Sequence, residues 1–486
     1  MIFPSSFRLA RGAPSAMAGD RLQPARFWAS LAIFVLFALA SSCATSTPSS
    51  KTSNPLPTAT AQSQSSADSA PVSDGDVTFA TVHGMQVFIK RIPGAELVSG
   101  QLDILGGVRN WGKEDAGVEQ LALTVSASGG TETLDKDAFA RRLATLGSMI
   151  AAGAGNDASS FRAKSLKENW DTTFELMVDA FLHPGLPPKE VELQRQQQLS
   201  ALRHEQEDPD AQLALIAHER IFKNHPYENR SIGTLETVNK LTRDQLRSHL
   251  AKLRETSRLI LVVVGDVEPD HIITRARDLL GHLPLGTYRH TPMPPIRFDH
   301  PTVTTVAKKL PTNYILSSFP GPGWKDEDFA LGMVAMTVLG WRQWIEVRTK
   351  RNLSYAPSAG MATNAEVTHG LLYVTAVDPN ATMKVMLDEA RNLKERPVPA
   401  PELKGDVSTL VTSFIAANET TDGQAALLAR AQVLGGDWRL IRTLPDRMRA
   451  VTSEGIEQFA RKYIANLQTV VLGDPERIDP ALFSSL

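Results

Sequence analysis

A two-layer α/β fold repeated in two domains is what this sequence predicts, and three observations predict it. The chain has 486 residues, more than one hydrophobic core ordinarily serves, so two domains of about 200 residues are expected. Two distant segments read alike: LTRDQLRSHLAKLRETSRLILVVVGDVEPDHI from Leu241, and VTSEGIEQFARKYIANLQTVVLGDPERIDPAL from Val451. Strand-like alternation is interleaved with helical periodicity, the pattern of sheets packed against helices.

The N-terminus comes first. Arg8, Arg11, Arg21 and Arg26 precede an apolar run from Phe27 to Ala40, too short for a comfortable membrane span and ending in small residues, as a signal-peptide core does. A start at Met17 would give a more usual leader. Ala40-Ser41-Ser42-Cys43 resembles a bacterial lipoprotein processing site, which makes Cys43 the lipidated residue. An ordinary leader with an incidental cysteine is the alternative. Cys43 is the only cysteine, so no disulfide forms within one chain. Ala44 follows it without an inner-membrane-retaining Asp, so an outer-membrane lipoprotein facing the periplasm is expected. Residues 1–43 are read as the leader and 44–75 as a flexible Ser/Thr/Pro-rich tether, too poor in large apolar residues to order itself.

The first unit, 76–285, opens with FATVHGMQVFIKRIP and ELVSGQLDILGGV, which alternate like strands. Val118–Val125, Asp135–Thr145, Asn169–Phe181 and a long polar stretch from Pro188 to Glu207 read as helices. In each copy of the repeat a Thr N-cap and an acidic first turn begin an amphipathic helix. An apolar strand then runs to Gly265-Asp266 or Gly473-Asp474. A spacing of roughly 210 residues points to a duplicated unit, with coincidence of two helix–strand–turn units as the bland alternative. The Pro-rich 286–300 is the linker, and 301–486 the second unit. A net charge of −2 gives no electrostatic case for nucleic acid.

Four segments carry a family resemblance. LDILGGVRNWGKEDAGVEQLALTV and HPYENRSIGTLETVNKLTRDQLRSHL resemble the first domain of insulinase/pitrilysin zinc peptidases. FPGPGWKDEDFALGMVAMTVLG and IEVRTKRNLSYAPSAG resemble the second. The resemblance runs in family order from about Val77 to near the C-terminus. It implies two homologous domains, each a mostly antiparallel sheet packed against helices.

Active relatives place two histidines one helical turn apart on zinc, with a glutamate between them as base and a distant glutamate as third ligand. By position these fall on Gln120, Thr124, Leu123 and Ala201. Leucine and alanine cannot bind zinc, and an amide and a hydroxyl are poor ligands. No cofactor is therefore expected on this chain. Elsewhere His204-Glu205, His218-Glu219 and His225 form the one His-rich neighbourhood, read as exposed or capping residues.

What the resemblance does keep is Arg348 and Tyr355, seven apart in VRTKRNLSYA. In relatives this pair hydrogen-bonds the substrate carbonyl as it gains charge. Without the resemblance, Arg348 would read as a surface ion-pair residue and Tyr355 as a half-buried core ring. Trp341 and Trp344 stand where the family has a glycine-rich turn, and core packing is expected for at least one. Gly360 and the strand Gly370–Val377 are expected to offer a sheet edge to a peptide. The implied function is the non-catalytic subunit of a heterodimeric peptidase, completing the site of a zinc-bearing partner around a peptide. A catalytically inert peptide-binding or structural protein at the membrane is the alternative. A self-sufficient zinc peptidase is the third reading.

Overall fold

The computed structural model describes residues 68–486; Cys43 and the leader lie outside that range. A seven-stranded sheet holds β1 (Val72–Asp74), β2 (Val77–Val82), β3 (Met85–Arg91), β4 (Leu97–Leu105), β5 (Met149–Gly153), β6 (Ala158–Leu166) and β7 (Leu259–Gly265). Its order is β1-β2-β3-β7-β4-β6-β5. A five-stranded sheet holds β8 (Thr302–Ala307), β9 (Asn313–Pro320), β10 (Ser358–Ala362), β11 (His369–Ala376) and β12 (Gln468–Gly473), ordered β10-β11-β9-β12-β8. β1 occupies the end of the stretch expected to be a flexible tether, because Val72 and Ser73 pair with Phe79 and Thr78 across a hairpin.

Helices of the first half are α1 (Val118–Ser128), α2 (Lys136–Thr145), α3 (Trp170–Leu182) and α4 (Pro188–Glu207). They continue with α5 (Pro209–Ile221), α6 (Leu235–Lys240), α7 (Arg243–Leu253) and α8 (Pro269–Leu280). The second half adds α9 (Phe329–Gln343), α10 (Pro379–Glu395), α11 (Ala400–Ala416) and α12 (Thr421–Gly435). It ends with α13 (Leu440–Arg449), α14 (Ser453–Tyr463) and α15 (Pro480–Phe483). Local chemistry sets many starts. Asp135 accepts from the Ala138 N–H, and Asp208 from Ala211 ahead of Pro209 at the first helical position. Thr242 and Thr452 cap α7 and α14 in the same way, accepting from Gln245 and Gly455.

The two sheets repeat one topology. β3 runs parallel to β7 as β8 does to β12. β4 is antiparallel to β7 and β6 as β9 is to β12 and β11. Each sheet is thus antiparallel except for one pair, and α1 corresponds to α9. The halves also exchange helices. Ala425, Leu428 and Ala429 of α12 bury against Phe88, Ile260, Val262 and Val264 of the first sheet. Leu213, Ala217 and Ile221 of α5 join a core that includes Val470 and Leu472 of the second. Burying a leucine such as Leu428 contributes about 1.5–3 kcal/mol, so each half depends on the other for one covered face.

β11 is paired on both sides, with β9 and β10. The strand read as Gly370–Val377 is therefore interior; the sheet ends at β10, which carries Gly360, on one side and at β8 on the other. Among the described residues no helix is long and apolar enough to cross a membrane.

Candidate functional site

α1 is positioned by its ends. Gly117, at φ +90, begins it in the left-handed region, where a Cβ would stand 2.9 Å from the Ile232 carbonyl oxygen. Gln198 of α4 donates to that same Ile232 oxygen (2.8 Å) and to Gly117 (3.3 Å), tying α4 to the start of α1.

Of the four positions that the resemblance assigns to metal and base, three are engaged in the fold. Gln120 Nε2 donates to Thr124 Oγ1 at 3.0 Å, and that hydroxyl donates to the Gln120 carbonyl at 2.8 Å. Gln120 Oε1 accepts from the Ala154 N–H, 2.9 Å away, just past the end of β5. Leu123 is fully buried in the first core. Ala201 is exposed on α4. An amide and a hydroxyl occupied with each other, a core leucine and a methyl group do not fit a zinc ion. Among the described residues no group of three or more His, Cys, Asp or Glu is arranged to hold a metal.

Beside this lies a pair that local sequence does not announce. Glu119, fully buried, accepts from His249 Nε2 at 2.7 Å, from Asn110 Nδ2 at 3.0 Å and from Ser159 Oγ. It locks α1 to α7 and β6 on the side away from Gln120. Three hydrogen bonds are what a carboxylate removed from water requires.

A second buried network joins the halves. Asp157 accepts from the Tyr227 hydroxyl and from the Glu366 N–H (2.9 Å), and Arg109 Nη2 reaches Glu366 at 2.9 Å and Asp157 at 3.4 Å. Burial raises the Asp157 carboxyl. Burial also works to raise Glu366, but His290 and Arg109 outweigh it and hold that group below the usual range. Neither network follows a motif; their members are brought together only by the fold.

The histidines split. His204 is exposed, and His225 Nδ1 accepts from the Tyr227 N–H at 3.0 Å, a capping role. His218 is neither exposed nor a cap: it packs on Phe222, with its Nε2 buried and unpartnered. Burial pushes it down to about 4. His369, from β11, meets the same Phe222 ring edge-on at 5.8 Å, and burial pushes it down to about 4 as well.

On the second half the retained pair is preformed, with Arg348 half-buried and Tyr355 exposed. The chain leaves α9 as a π-helix, Trp344–Thr349, a form concentrated at functional sites. Just ahead of it Gln343 is buried with neither amide atom partnered. The Arg348 guanidinium lies over the Trp344 ring at 4.0 Å and the Tyr355 ring at 3.8 Å, and donates to the Tyr355 carbonyl at 3.3 Å. Arg348 has no carboxylate partner among the described residues, and Tyr355 is 71% exposed. Neither is the surface ion pair or core ring that an ordinary reading supplies. Trp341 is exposed and Trp344 half-buried, so neither tryptophan fills the core. No hydrogen bond or ring contact among the described residues links Arg348 or Tyr355 to Gln120, Leu123, Thr124 or Ala201.

A family model described as "Insulinase (Peptidase family M16)" matches residues 86–235, and one described as "Peptidase M16 inactive domain" matches 240–410. The non-peptidase homolog YmxG of Helicobacter pylori is 23% identical over 349 residues, covering 69% of this chain and 79% of that protein. Cytochrome b-c1 complex subunit 1 of Homo sapiens is 24% identical over 218 residues, 43% of this chain and 44% of its own length. A crystal structure titled as a peptidase M16 inactive domain from Pseudomonas fluorescens superposes with a TM-score of 0.73 at 18% identity, covering 83% of this chain and 97% of that one.

Proposed function

Because this chain belongs to the insulinase (M16) family of peptidases as a homologue without the zinc-binding residues, we propose that it is the non-catalytic subunit of a two-chain peptidase. In this reading it lends Arg348 and Tyr355 to a peptide held against a zinc-bearing partner of the same family. The observation that carries the reading is the half-buried Arg348, clamped between two aromatic rings with no carboxylate among the described residues to neutralise it. An arginine spent on folding would sit in an ion pair. One stacked on rings keeps N–H donors free and loses little entropy when a carbonyl or carboxylate arrives. Tyr355, largely exposed, adds a phenol donor.

The relative that is a subunit of a larger complex supports an assembly of several chains. The free edge of β10, beside this motif, gives a peptide backbone a row of hydrogen-bonding groups without sequence choice. Lipidation of Cys43 would hold the assembly at the outer membrane, facing the periplasm.

A second reading, a catalytically inert peptide-binding or structural protein, draws support from the H. pylori relative, itself named a non-peptidase homolog. One experiment separates the two. The chain is reconstituted with the zinc-bearing homologue from the same genome and peptide hydrolysis is measured. Arg348→Ala combined with Tyr355→Phe lowers kcat by about 10²-fold or more if the pair stabilises developing charge. Unchanged hydrolysis leaves the inert reading.

A further inference from the structure

The cavity outside the peptidase-like site carries a chemistry of its own. It lies where the C-terminal end of α7 meets the start of β7 and the linker, with a volume of about 390 Å³, within the range of small-ligand sites. Arg109, Lys252, Arg258 and Arg289 line it together with His249 and Tyr288, and no carboxylate does. In a chain whose net charge is −2, four cations converging on one cavity is a local excess that bulk composition does not explain.

Two of the four are already compensated from behind. Arg109 holds Glu366 and Asp157, and Arg258 holds Glu255 at 2.7 Å. The other two are not. Among the described residues Lys252 has no carboxylate partner, and Arg289 donates only to the Tyr288 carbonyl, at 2.8 Å. Two further donors have no acceptor: Arg109 Nε and the Tyr288 hydroxyl are buried and unpartnered. A buried donor without a partner costs about 1–3 kcal/mol, and like charges a few ångströms apart repel in a partly desolvated pocket. A ligand bearing several acceptor oxygens and about two negative charges relieves that repulsion. Tyr288, its ring face covered by Arg258 at 4.7 Å, supplies a rigid wall.

We propose that this cavity binds the phosphate group of a small phosphorylated molecule, with Lys252 and Arg289 supplying the uncompensated charge beside Arg109, Arg258 and Tyr288 in its lining. Phosphate is favoured over a single carboxylate because it offers more oxygens and up to two charges to a mixed Arg/Lys set. The linker contributes Tyr288 and Arg289, so occupancy would order the junction between the halves.

The test uses the purified full chain, with inorganic pyrophosphate titrated by calorimetry. In parallel, cosedimentation is run with phosphatidylcholine vesicles, with or without phosphatidylglycerol. Saturable pyrophosphate binding that weakens about tenfold or more in Lys252→Ala/Arg289→Ala, and falls with salt, supports a soluble phosphate ligand. Phosphatidylglycerol-dependent sedimentation lost in that variant, without pyrophosphate binding, supports the same chemistry on a lipid headgroup. Both side chains are exposed and unpaired, so the variant keeps its fold, which circular dichroism checks. Absence of both kinds of binding, or binding that the double substitution leaves unchanged, overturns the proposal.

Discussion

The two halves of this molecule spend their polar side chains in opposite ways. On α1, where relatives hold a metal, every inherited position has turned inward or toward its neighbours: Gln120 to Thr124 and Ala154, Leu123 to the core. Beyond α9, Arg348 and Tyr355 remain outside, stacked on each other and bonded to no acid. The same α/β unit has been made structural in one copy and left available in the other. The two sets of polar side chains differ in what they leave unbonded.

The largest expected effect tests the first half of that contrast. Leu123→Glu, a single step toward the family's base, places a carboxylate in a fully buried apolar site and should destabilise the chain by about 3–5 kcal/mol. Urea denaturation measures it, and a loss below about 1 kcal/mol would mean that α1 can still open its face to solvent.

Acid should act next, at the seam between the halves. His218 and His369 stay neutral in the folded chain down to about 4, while in the unfolded chain they protonate near 6.5. The unfolded state therefore binds more protons below that value. The contribution is whole above about pH 6.5 and fades as pH falls toward 4, on the order of 3 kcal/mol per imidazole. Denaturation midpoints followed across that window should flatten in His369→Asn; an unaltered acid limb would assign the loss to other groups.

A smaller effect follows from Gln120→Ala, which removes the bonds to Thr124 and Ala154 and should cost about 1 kcal/mol without changing any activity. Smallest is Arg348→Ala with Tyr355→Phe, where exposure limits the loss to about 0.5 kcal/mol in thermal or urea melts. A destabilisation of several kcal/mol there would make the pair a structural clamp and erase the contrast between the halves.

Much of this architecture is legible in the residues. The Thr caps at 242 and 452 sit on helices α7 and α14, and each leads to an apolar strand ending in Gly-Asp, because capping and alternation are local. The long polar helix over 188–207 is legible for the same reason, its Pro at the first turn and Asp208 at its end marking the bounds. What local pattern cannot show is who covers whom. α12 has a weakly patterned sequence, TDGQAALLARAQVLG, and its destination on the first sheet is set by exchange between the halves. β11 reads as an apolar strand wherever it lies, so its interior place appears only through its two partners. Glu119 and His249 stand 130 positions apart, and Lys252 and Arg289 share a cavity only because the linker returns past α7. Which side chains stand at the four positions given by the resemblance is legible because zinc chemistry requires residue types at fixed places. The cavity beside α7 is not, because its cations come from separate elements.

The central claim is that α1 and α4 together can neither hold a metal nor activate water on one. Elemental analysis of the isolated chain after equilibration with zinc and desalting, paired with an unaided peptide-hydrolysis assay, addresses it directly. The account predicts far less than one zinc per chain and no hydrolysis above background. About one tightly held zinc per chain, lost on mutation of Gln120 and Thr124 and accompanied by hydrolysis, would contradict it.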